Sequence, residues 1–111
     1  MQAGSAAAVS ETSALAERLL DALPSRAHAA DVGKAHLAAL AKRPDARTLV
    51  AEITSCMGMT GADLRQCTVT NLQSTLRART ASGFIAGRTV RVGGWVLSAN
   101  EVRLFSLAAV A

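Results

Sequence analysis

A mainly α fold is predicted: a small antiparallel helical domain with one C-terminal β-hairpin followed by a final helix. Three observations predict it. Apolar residues recur every three or four positions through most of the chain, which is helical spacing. Over TVRVGGWVLS, residues 89–98, the interval drops to two and two glycines sit at the centre. Ser98 and Glu101 then open a last apolar run in the S-x-x-E pattern of a helix start.

The 111 residues suit one small domain, assigned to 10–111 after a flexible lead at 1–9 (MQAGSAAAV). Alanine is abundant and aromatics are 3% of the chain. Alanine buries little area, so leucine, valine and a few large side chains must supply most of the core.

The first helix is expected over about 10–23, with Leu15, Leu19, Leu20 and Leu23 on one face. Pro24 ends it, because proline pushes the residue before it out of helical angles. Ser25 is a suitable cap for a second helix running to about Lys42, with Val32, Leu37 and Leu40 backed by Ala35 and Ala39. Gly33 either weakens that helix by about 1 kcal/mol or allows close approach by a neighbour. Pro44 fits the first turn of a third helix carrying Leu49, Val50, Ile53 and Met57, which GMTG (58–61) closes.

Thr60 and Asp63 form a variant capping box for a fourth helix, with Leu64, Cys67 or Thr68, Leu72 and Leu76 inward. Phe84 and Ile85 are placed to close the bottom of the core. The hairpin is expected at about 88–97, turning on Gly93–Gly94, with Trp95 buried against the final helix. That helix carries Val102, Leu104, Phe105 and Leu107, and its apolar end must dock somewhere.

Charge is uneven along the chain. Residues 1–62 balance acids against bases, whereas 63–111 hold Arg65, Arg77, Arg79, Arg88, Arg91 and Arg103 against Asp63 and Glu101. The whole net charge of +4 therefore lies in the second half as arginine. Such a face suits a solvated helix, a phosphate-bearing partner or a carboxylate-bearing one.

Catalytic signatures are not found. There is no G-x-S-x-G elbow, no H-E-x-x-H and no phosphate loop, so an enzyme is not expected and no cofactor is implied. His28 and His36 lie about 12 Å apart along a helix axis, too far to share a metal unaided. Cys56 and Cys67 match no zinc spacing; they are read as packing residues or as a disulfide across the turn at 58–61. No stretch reaches the ~18 apolar residues of a membrane span, and no signal-peptide pattern precedes the first helix.

Two phrases, VGKAHLAALAKRPDARTLVAEI and FIAGRTVRVGGWVLSANEVRLFSLAAV, resemble a small alanine-rich bacterial family. The matching positions are Gly33, Leu37, Pro44, Leu49, Gly87, Val90, Val92, Gly94, Trp95, Leu97, Ser98, Glu101 and Leu104. The resemblance implies proteins of no established activity that are often exported, hence the bacterial cytoplasm or, after removal of an export signal, the periplasm. It carries no catalytic residues.

The expected function is a non-enzymatic accessory module that binds a partner protein, or a second copy of itself, through the apolar hairpin and last helix. Trp95, Arg88, Arg91, Phe105 and Leu104 are the candidate contacts. The alternative is a winged-helix-like nucleic-acid-binding domain using Arg65, Arg77, Arg79, Arg88 and Arg91.

Overall fold

The structure, a computed structural model, describes residues 2–111, with side-chain surroundings from Glu11 onward. Among the described residues it holds six helices and one two-stranded sheet. In chain order these are α1 (Gln2–Asp21), α2 (Arg26–Ala38), α3 (Ala46–Met57), α4 (Gly61–Gln66), α5 (Val69–Ile85), β1 (Thr89–Val92), β2 (Trp95–Ser98) and α6 (Ala99–Val110). The predicted fold class is the observed one.

The helix boundaries differ from expectation in four places, each for a local reason. Helix α1 is already formed at Gln2, eight residues before its expected start, through a run rich in alanine, the best helix former; Met1 lies outside the described residues. Helix α2 ends at Ala38 rather than Lys42, one residue past Leu37, its last buried side chain. Beyond Leu37 no tertiary contact offsets the cost of ordering another turn. Pro44 lies just outside α3, and Asp45 is the cap, its Oδ1 accepting from the Thr48 N–H at 2.8 Å.

The fourth difference is the break between α4 and α5. Cys67 leaves the helical region, and the Thr68 hydroxyl accepts from the Asn71 N–H at 3.1 Å, starting a new helix. A threonine able to cap competes with the helix it interrupts. From α1, Arg18 donates to the carbonyls of Leu64 and Cys67, so the freed acceptors at the elbow are satisfied. Leu64, Leu72 and Leu76 still point inward, whereas Thr68 is exposed.

The main core is built from leucine rather than alanine. Leu15, Leu19 and Leu20 of α1 meet Leu49, Ile53 and Met57 of α3, Leu64 of α4, Leu72 and Leu76 of α5, and Leu104 and Leu107 of α6. Each such side chain contributes about 1.5–3 kcal/mol when fully buried. Helix α6 is central: it touches α1, α2, α3, α5 and both strands. The last helix is therefore covered by its own domain as far as Leu107, which is wholly buried, while Val110 beyond it is exposed.

Helix α2 meets the opposite side of α6. At Gly33 the two backbones nearly touch, and a Cβ there would lie 2.1 Å from the Phe105 carbonyl oxygen. Close approach, not a weakened helix, is the reason for that glycine.

Candidate protein-docking groove

The hairpin forms in the expected register. Val90 pairs with Leu97, Arg91 with Val96 and Val92 with Trp95, around Gly93 (φ 54°) and Gly94 (φ 86°). Positive φ at both central residues matches the right-handed twist of the strands. Alternation puts Val90, Val92, Trp95 and Leu97 on one face and Arg91 and Val96 on the other.

Ser98 anchors the base. Its hydroxyl accepts from the Glu101 N–H at 3.2 Å, and the Glu101 carboxylate accepts from the Ser98 N–H at 3.0 Å. Gly83 of α5 lies against this buried serine, so close that a Cβ on the glycine would stand 3.2 Å from the Ser98 Cβ. The Arg88 backbone joins the same junction, donating to the Gly83 carbonyl and accepting from the Ala99 N–H. Strand direction and the start of α6 are thus set together.

One expectation fails here for a physical reason. Trp95, predicted to be buried against α6, is 71% exposed, although its cross-strand partner Val92 is buried. At the hairpin tip a valine finds cover and the larger indole extends past it. Phe84 and Ile85 do not close the core either; they are exposed at the end of α5. Phe105 is half-buried. The chain's one tryptophan and two phenylalanines thus all lie outside the buried core.

Two of those aromatics meet at one groove. Trp95 and Leu97 of the hairpin, His28 and Val32 of α2, and Glu101 and Phe105 of α6 line a depression of about 240 Å³. A second depression, about 310 Å³, shares Glu101 and Phe105 and continues between Leu23, Pro24, Gln73, Leu76, Arg77, Thr80 and Leu104. The Glu101–Phe105 edge of α6 therefore forms a ridge between two adjoining hollows. Apolar side chains dominate both; Arg77 lines the second and His28 the first.

The predicted contacts divide accordingly. Trp95 and Phe105 line the groove. Leu104 is 5% exposed, so it belongs to the floor and core rather than to an accessible surface. Arg91 lies on the far face of the hairpin, and Arg88 serves the junction through its backbone; both side chains are exposed. His28, Val32, Leu23, Pro24 and Arg77 join the groove without any signal in the sequence that would place them there. Periodicity marks Val32 and Leu23 as apolar, but nothing local shows that α2 starts beside the hairpin.

The arginines of the nucleic-acid alternative differ in their surroundings. Arg65 pairs with Glu11 at 2.9 Å, and Arg79 reaches the Met57 carbonyl at the end of α3 at 3.5 Å. Arg77, Arg88 and Arg91 are exposed and form no ion pair among the described residues. Elsewhere, His28 and His36 line different hollows, and Cys56 and Cys67 are free thiols. Among the described residues, no helix is long and apolar enough to cross a membrane.

Comparison with known proteins finds no match: no family model, no curated protein and no solved structure.

Proposed function

We propose that this chain is a non-enzymatic accessory module that binds a partner protein, which inserts apolar side chains into the groove beside Trp95. The observation that carries this reading is the exposure of Trp95 next to Phe105, in a protein whose core uses no aromatic residue. Exposed tryptophans are costly to leave in water and are enriched where binding energy concentrates. The groove also supplies a polar rim, with Arg77, Gln73 and Thr80 on one side.

Trp95 supplies its own assay. It is the only tryptophan and there is no tyrosine, so intrinsic fluorescence reports on the groove alone. A partner isolated on the immobilised protein should be retained by the wild type and by Arg91→Ala, and lost with Trp95→Ala. Adding that purified partner, with the partner's own emission subtracted, should shift Trp95 emission to the blue as the indole leaves water. Equal retention by Trp95→Ala, or emission that does not respond, would sink this reading. Self-association is read from the same signal in a concentration series.

The nucleic-acid alternative retains Arg77, Arg88 and Arg91 as exposed charges. It predicts a salt-dependent mobility shift with duplex DNA or RNA that weakens in Arg77→Ala and Arg91→Ala. Absence of any shift at low salt would remove it.

A further inference from the structure

We infer that the end of α5 and the adjoining outer face of the hairpin form a docking surface for an anionic lipid bilayer, separate from the groove. The first observation is charge. Between Asp63 and Glu101 the chain contains no acidic residue, and α5 and both strands lie wholly within that interval. Arg88 and Arg91 are exposed there and form no ion pair among the described residues.

The second observation is what stands beside those arginines. Helix α5 buries Leu72, Leu76 and Gly83, and its last turn leaves Phe84 exposed and Ile85 89% exposed. Gly87, at φ 75°, then turns the chain toward the hairpin. Val96, also exposed, pairs with Arg91 on the hairpin face away from the groove. Ser98 shares that face by alternation and packs against Gly83, so the face runs onto the end of α5. Three large apolar side chains and two arginines thus share one end of the molecule, outside the core. The inference does not rest on the groove, whose Trp95 and Leu97 belong to the opposite face of the hairpin.

Grouped apolar exposure marks a contact surface, and its mixture with arginine selects the occupant. A phosphate backbone would use Arg88 and Arg91 but leave Phe84, Ile85 and Val96 in water. A second copy related by a twofold axis would set one acid-free, arginine-bearing surface against another. An anionic bilayer satisfies both features. Its headgroups attract cations, at about a fivefold gain in binding per arginine, and the boundary beneath them accepts apolar side chains. Such attachment is to the bilayer surface and needs no spanning helix.

Co-sedimentation of the full chain with vesicles tests it. At low salt the protein should sediment with vesicles of phosphatidylcholine mixed with phosphatidylglycerol, and stay in solution with phosphatidylcholine alone. Replacing both arginines, Arg88→Ala with Arg91→Ala, should weaken binding about 25-fold. Ile85→Ser, at a position too exposed to support the fold, should weaken it about tenfold. Unchanged binding by Ile85→Ser would overturn the inference, because charge alone would then account for the attraction. Equal binding to phosphatidylcholine alone would overturn it too. So would failure to bind the anionic vesicles at low salt, which would leave this surface to a protein or nucleic-acid partner.

Discussion

Helices α2 and α6 face each other across one glycine, and both are short and rich in alanine, yet they occupy opposite positions in the fold. Helix α6 carries Val102, Leu104 and Leu107 on several sides, so α1, α3, α5 and the hairpin all pack onto it. Helix α2 has a single stripe, Ala29, Gly33 and Leu37, and meets α6 and β1. Small residues let two backbones come close, but they remove little apolar area from water. Close contact and strong contact are therefore different things in this molecule. The same contrast separates the buried base of the hairpin at Ser98 from its exposed tip at Trp95.

Substitutions on the two helices sharpen the contrast. Leu107→Ala, at a wholly buried position of the main core, should cost about 3 kcal/mol of global stability in urea unfolding. Leu37→Ala, at 4% exposure on the single buried stripe of α2, should cost about 2 kcal/mol, the lower end for such truncations, because fewer large side chains surround it. A Leu37→Ala loss equal to that of Leu107→Ala would erase the distinction between the helices. At the hairpin base, Ser98→Ala removes a buried cap and should cost about 1–2 kcal/mol, whereas Trp95→Ala should change stability by about 0.5 kcal/mol or less.

The smallest effect concerns acid. The Thr48 N–H holds the Asp45 carboxyl below the usual aspartate value of 3.8 at the start of α3, and the Thr60 N–H does the same for Asp63 at α4. A lowered folded-state value means the caps contribute fully above that ordinary value and lose their contribution as pH falls below it. Thermal unfolding should thus be insensitive to these groups near neutrality and show a drop in Tm that begins below about pH 4. Asp45→Asn and Asp63→Asn should flatten that part of the profile.

Much of the fold is legible in the sequence because it is encoded locally. The change of period at Thr89, the glycine pair and the S-x-x-E box each act within a few residues, and each forms as read. Capping at Thr68 is also written locally, but the Leu64, Leu72 and Leu76 spacing continues across the break and hides it. The groove is legible only in part. Trp95 and Phe105 stand out in the sequence, yet the burial of Leu104 and the exposure of Trp95 depend on what lies above them. Arg88 and Arg91 stand out by charge and flank the hairpin without facing the groove.

What the sequence determined by itself is the set of elements, the hairpin turn and the start of the last helix, since hydrogen-bonding caps and positive-φ glycines act on their neighbours in the chain. Tertiary structure alone decided that the last helix is the centre of the domain and not a free surface. It also decided that α2 and the hairpin, more than sixty positions apart at His28 and Trp95, wall one hollow. Apolar spacing says which side chains seek cover, and only packing in three dimensions says which of them find it.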